Sequence, residues 1–144
     1  MKDLKYLFAY TVPLATLISF NSFGIGTYTA VFYAFVVLPV LDVVLGKSSN
    51  NLTESKREEK KLNKIFDWML YINLPIVYVL MVYGFNKVSS IDYTITEKIG
   101  LYLSGGILLA TNGINVAHEL CHRRKYYEKF IGQALFLPLS LRHI

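Results

Sequence analysis

The chain has 144 residues and a formal net charge of +5, and 53% of its residues are apolar or aromatic. Its mean hydropathy is positive, and its charges fall in short blocks between long uncharged stretches, a distribution typical of membrane proteins rather than soluble domains. The basic excess does not indicate nucleic acid binding, because the Lys and Arg residues flank apolar runs, where they suit a membrane surface. A single cysteine, Cys121, excludes an internal disulfide.

Four apolar segments have the length needed to cross a hydrocarbon layer of about 30 Å as helices, and they lie at about residues 5–21, 27–46, 65–85 and 98–117. A fifth apolar run, at residues 130–141, is too short to cross alone. The pattern therefore predicts an all-α fold: a polytopic transmembrane helical bundle of about four spans plus a short C-terminal apolar helix. Residues 1–144 form one unit, with no separate soluble domain.

The basic residues predict the orientation of the bundle. If the N-terminus is cytoplasmic, thirteen of the fifteen Lys and Arg residues lie inside, including six in the 47–64 loop, and only Lys87 and Lys98 lie outside. Basic residues are enriched in cytoplasmic loops of membrane proteins. We therefore expect the end of the fourth span to face the cytoplasm.

That end carries the sequence NVAHELCHRR, in which His118 and His122 are four residues apart. Residues at this spacing share a helix face, so both imidazoles can reach one metal ion. A projection of the fourth span at about 100° per residue places polar side chains on one stripe about 120° wide, whereas Cys121 falls on another face. The stripe contains Glu97, Ser104, Thr111, Asn112, Asn115, His118, Glu119 and His122.

A polar stripe on a membrane helix usually faces a bundle interior, a cavity or a site, because polar groups in lipid are costly. We predict His118 and His122 as metal ligands. Asn115 and Glu119 are predicted to orient the imidazoles by hydrogen bonds without binding the metal themselves. Two plainer interpretations remain open: the helix has simply reached water at this end, or the stripe only packs helices together.

The same residues also fit a membrane zinc metalloprotease. H-E-x-x-H supplies two zinc ligands with Glu119 as general base, but it needs a third ligand downstream. Glu128 follows too closely for the usual arrangement, and His143 stands without a recognisable context.

The surroundings of the histidine pair resemble the first histidine box of integral-membrane alkane hydroxylases, N-x-A-H-E-L-x-H-K. Arg123 stands where that family commonly has Lys. The segment LPVLDVVLG at 38–46 is also similar to the family's second span, and the resemblance covers essentially the whole chain. The box residues that match are Asn115, Ala117, His118, Glu119, Leu120 and His122.

The resemblance implies a non-haem di-iron monooxygenase in the bacterial inner membrane. Such an enzyme uses two iron ions, O₂ and electrons from a rubredoxin-type donor to hydroxylate the terminal carbon of an alkane. A membrane fatty-acid desaturase or hydroxylase, acting on a fatty-acyl substrate, shares the histidine-box pattern and remains an alternative.

Further boxes of that family, E-H-x-x-G-H-H and H-x-x-H-H, do not occur in this sequence, which has three histidines in all. Three histidines cannot satisfy two iron ions. We therefore expect the chain to be the N-terminal part of a longer enzyme and to be inactive alone. The role of His143 stays open between metal ligand and interfacial polar residue.

Overall fold

A computed structural model of the chain describes Phe8 and residues 10–45 and 64–139. Helix α1 covers Thr11–Phe20. Helix α2 starts with a 3₁₀ turn at Gly24–Tyr28 and then contains two α-helical pieces, Thr29–Phe32 and Leu38–Leu45, joined by a π turn at Tyr33–Val37. The predicted 47–64 loop, apart from Lys64, and His143 lie outside the described residues.

Three further helices follow. Helix α3 contains Lys64–Tyr71 and Asn73–Ser90. Helix α4 contains Ile95–Leu108, a π turn and Asn115–Cys121. Helix α5 covers Tyr126–Phe136 and ends in a 3₁₀ turn at Leu137–Leu139. All regular structure among the described residues is helical, so the predicted all-α class is confirmed.

Three of these helices are long and apolar enough to cross a membrane, namely Gly24–Val44, Asp67–Ser90 and Ile95–Cys121. They coincide with the second, third and fourth predicted spans. The first predicted span is not confirmed, because α1 has 10 described residues, about half of the length that a crossing helix needs. Helix α5, at 11 residues, is the predicted short C-terminal helix, although it starts before residue 130.

Successive long helices run in opposite directions, so polar groups collect at two opposite ends of the bundle. At one end the first turn of α2 meets the start of α4, where the Gly24 amide donates to the Glu97 carboxylate over 2.6 Å. At the other end the start of α3, the end of α4 and the start of α5 come together. Tyr10 joins this second end, since its hydroxyl donates to the Met69 carbonyl over 2.6 Å.

The core of the second end is packed tightly between α4 and α5. Ala117, Leu120 and Leu135 are fully buried there. A Cβ built at Gly132 would lie 2.8 Å from the Cys121 sulfur and 2.9 Å from the Ala117 carbonyl oxygen, so the two backbones approach more closely than any side chain at 132 allows. This close approach fixes α5 beside the helix that carries the histidines.

Candidate functional site at the end of α4

The polar stripe predicted on α4 is divided in the structure. Ser104 is buried, and its hydroxyl donates to the Thr27 carbonyl of α2 over 2.8 Å. Asn115, His118, Glu119 and His122 are exposed. A π turn at Leu109–Ile114 separates the two groups. Because a π turn adds one residue to a helical turn, everything after it is rotated by about 100° relative to an uninterrupted α-helix.

The first residue of the predicted stripe, Glu97, has a local task. Its carboxylate accepts from the Thr94 amide over 2.8 Å, while its own amide donates to the Thr94 hydroxyl. This reciprocal pair is a capping box that starts α4. Glu97 therefore belongs to the opposite end of the bundle from the histidines.

Asn112 lies inside the π turn and joins α4 to α3. Its side-chain amide donates to the Asn73 side-chain oxygen over 2.8 Å, and the Asn73 amide in turn donates to the Met69 carbonyl over 2.8 Å. Both side chains are buried. Hydrogen-bonded amides of this kind hold membrane helices together, which is the helix-packing role that the sequence left open for part of the stripe.

Both predicted metal ligands lie on the last turn of α4. The His122 amide donates to the His118 carbonyl over 3.3 Å, so the helical spacing between the two residues persists to His122. The His118 ring stands edge-on to Phe136 of α5, with 5.0 Å between ring centroids. Cys121 also packs against α5, since a Cβ built at Gly132 would lie 2.8 Å from its sulfur.

A charged network that the sequence did not predict surrounds this last turn. The Arg123 guanidinium donates to Asp67 of α3 and, over 3.1 Å, to Glu128 of α5. Its Nε lies 3.8 Å from the Glu119 carboxylate. The Tyr71 hydroxyl of α3 donates to the Glu128 carboxylate over 2.6 Å. The network therefore connects all three helices that meet at this end.

Glu128 is 2% exposed, and its carboxylate accepts hydrogen bonds from Arg123 and Tyr71. Burial by itself raises the pKa of Glu128, yet the Tyr71 hydroxyl and the Arg123 guanidinium outweigh burial, and the pKa lies below its ordinary value. Partial burial likewise opposes the charge of Arg123, but hydrogen bonds to Asp67 and Glu128 raise its pKa above the ordinary value. Both groups are therefore charged at neutral pH.

A cavity of about 560 Å³ opens beside the network, between α1, α2, α3 and α4. Its lining includes the apolar residues Val12, Leu38 and Leu70 and the polar residues Asn112 and Glu119. Its volume is in the range of small-molecule sites. Part of the predicted stripe thus borders a cavity, as expected for a polar stripe on a membrane helix.

The donor set fits part of a metal site. His118 and His122 supply two imidazoles, which suit iron as well as zinc. Within residues 10–45 and 64–139, no group of three or more His, Cys, Asp or Glu side chains is arranged to hold one ion. The described residues thus offer a pair of imidazoles on one helix face and do not fit a complete site for two irons.

The sequence did not reveal that Asp67 and Glu128 are the hydrogen-bonding partners of Arg123. A detectable signal existed for Asp67, because a carboxylate inside an apolar span is costly and is almost always paired. The partner was not detectable, since Asp67 and Arg123 are 56 residues apart in the chain.

Comparison with known proteins finds alkane 1-monooxygenases. Alkane 1-monooxygenase 2 of Alcanivorax borkumensis is 31% identical over 148 residues, which cover 97% of this chain and 39% of that protein. The alkane 1-monooxygenases of Acinetobacter baylyi and Pseudomonas putida are each 27% identical, over 75% and 82% of this chain. No family model and no solved structure matches the chain.

The chain spans 26% and 29% of the length of the Acinetobacter and Pseudomonas proteins, so the likeness concerns one part of each relative. That part includes three membrane-length helices here, which together with the relatives indicates an integral membrane protein. The chain is a distant relative of the alkane 1-monooxygenases.

Proposed function

We propose that this chain forms part of a non-haem di-iron membrane monooxygenase that hydroxylates the terminal carbon of alkanes. The observation that carries the proposal is the pair of imidazoles on the exposed last turn of a membrane-length helix, in a chain whose relatives are alkane 1-monooxygenases. The apolar substrate would arrive through the bilayer, and electrons would come from a rubredoxin-type donor.

His118 and His122 would hold one of the two irons, which would supply the activation of O₂. Asn115 and Glu119, on the same turn, would orient the imidazoles. Insertion of oxygen into an unactivated C–H bond requires a redox metal, which favours iron over zinc. The names of the relatives favour a monooxygenase over a zinc protease or a fatty-acid desaturase. With only three histidines in its sequence, the 144-residue chain would be inactive by itself.

A chimera tests this function directly. This chain replaces the aligned segment of the Alcanivorax borkumensis alkane 1-monooxygenase 2, and the bacterial membranes are assayed for octane oxidation with a rubredoxin electron supply. We expect 1-octanol from the chimera and none from its His118→Ala or His122→Ala variants, because each loses an iron ligand. The 144-residue chain alone should produce no alcohol.

The matched control is Arg124→Ala, which changes an exposed neighbour of the histidines. It should preserve turnover. A chimera that is inserted in the membrane in normal amounts but forms no alcohol would contradict the proposed function, as would undiminished turnover by the histidine variants.

A further inference from the structure

The position of His122 poses a physical problem for a metal site. The regular part of α4 ends at Cys121, and His122 is its C-terminal cap. Terminal turns of helices fray and open at low free-energy cost. Two imidazoles four residues apart can reach one ion only while the helix persists through the second residue, so His122 needs support from outside its own helix.

Arg123, the residue directly after His122, contacts two other helices. Arg123 bonds to Asp67, near the start of α3, and to Glu128, in the first turn of α5. Its side chain is 26% exposed and that of Asp67 is 24% exposed, so water screens these bonds less than it screens surface pairs. The chain after His122 is therefore fastened to both neighbouring helices.

The side chain of Glu128 is itself held in place by a further contact. Its side chain is 3% exposed and also accepts the Tyr71 hydroxyl of α3 over 2.6 Å. Helix α5 is held against α4 by the close approach at Gly132. The neighbouring Arg124 is exposed and takes part in none of the ion pairs found among the described residues, so the two adjacent arginines have different surroundings.

We propose that Arg123 is a positioning residue for the metal site: its bonds to Asp67 and Glu128 keep His122 in helical register with His118, so that both imidazoles bind one ion. This inference rests on the proposed function. It assigns a role in metal binding to residues that do not touch the metal, including Asp67 on another helix.

The test uses the 144-residue chain purified in detergent, with Co²⁺ as the probe. Two quantities are measured for each variant: the Co²⁺ dissociation constant, and the amide hydrogen exchange of residues 118–123. Arg123→Ala should weaken Co²⁺ binding about 10-fold, the usual effect of removing a group that orients a ligand, and should accelerate exchange at His122. Arg124→Ala is the matched control and should change neither.

Asp67→Asn is a second variant, which tests the inference if Arg123→Ala does not fold. It preserves side-chain size, and the hydrogen bond that it weakens is the one from Arg123. We expect weaker Co²⁺ binding and faster exchange at His122 here too. The exposed Asp92, near the opposite end of the bundle, supplies the matched control Asp92→Asn, which should behave as the wild type does.

The outcomes separate the inference from the function on which it rests. If His118→Ala loses Co²⁺ binding while Arg123→Ala and Asp67→Asn retain wild-type affinity, the inference is wrong and the metal site stands. Faster exchange without weaker binding overturns it equally, since the network then only stabilises the helix. If His118→Ala binds Co²⁺ as the wild type does, the metal site itself is wrong and the inference falls with it.

Discussion

At the scale of single residues, the buried carboxylate of Glu128 determines how this end of the bundle responds to pH. A carboxylate without partners would be neutral in such surroundings, because burial disfavours the charged form. Tyr71 and Arg123 reverse that preference and lower the pKa of Glu128. The ionised form is therefore the one that the folded chain stabilises.

The sign of the resulting pH dependence follows from linkage. A carboxyl group with a lower pKa in the folded than in the unfolded chain stabilises the fold above its unfolded value and loses that contribution as pH falls through the folded value. We expect Glu128→Gln to lower the free energy of unfolding by about 2 kcal/mol at pH 7, because a hydrogen bond to a charged group is lost. The difference should shrink as pH falls below the ordinary value of 4.5.

Chemical denaturation of both proteins in detergent from pH 7 to pH 3 measures this difference. Glu119→Gln is the matched control, since the side chain of Glu119 is 61% exposed and its ion pair with Arg123 is expected to contribute little. A destabilisation by Glu128→Gln that stays constant over the whole pH range would contradict the prediction.

At the scale of helices, the contact between α4 and α5 depends on the absence of a side chain at Gly132. We expect Gly132→Ala to destabilise the protein by about 1–3 kcal/mol, the usual cost of overpacking. The new methyl group would meet the Ala117 carbonyl oxygen, and a backbone atom cannot move aside without shifting the helix. Chemical denaturation in detergent measures the change.

Gly106→Ala is the control for that prediction. No heavy atom lies within 4 Å of a Cβ at Gly106, and alanine favours a helix over glycine by about 1 kcal/mol. The Gly106→Ala protein should therefore be as stable as the wild type or more stable. Equal effects of the two substitutions on stability would show that the contact at Gly132 does not cause the destabilisation.

The π turn in α4 also acts at the scale of helices, because it rotates the last turns of α4 relative to the first. Periodicity at a fixed angle places Ser104 and His118 on one stripe, whereas the structure buries Ser104 and exposes His118. A π turn is stabilised by surrounding contacts, here including the amide pair of Asn112 and Asn73. A projection of α4 alone therefore cannot anticipate the rotation.

At the scale of the whole molecule, the distribution of basic residues predicts which end of the bundle faces the cytoplasm. In a Cys121→Ser background, a membrane-impermeant thiol reagent should label Arg124→Cys only when the cytoplasmic face is accessible, and Asp92→Cys only from the other side. Thirteen of fifteen basic residues lie on the predicted cytoplasmic side, which is the bias that sets orientation. Labelling with the opposite sidedness would reverse the predicted topology.

The sequence by itself determined the helical class, three membrane-length helices and the spacing of His118 and His122, because hydrophobic length and an i, i+4 separation are local properties. It did not determine the first span, since the described helix α1 has only 10 residues. The tertiary structure decided the partners of the histidine end. Asp67 meets Arg123 across 56 residues, and Tyr71 meets Glu128 across 57. Such pairs depend on which helices pack together and at what rotation, and neither is encoded in the pattern of one segment.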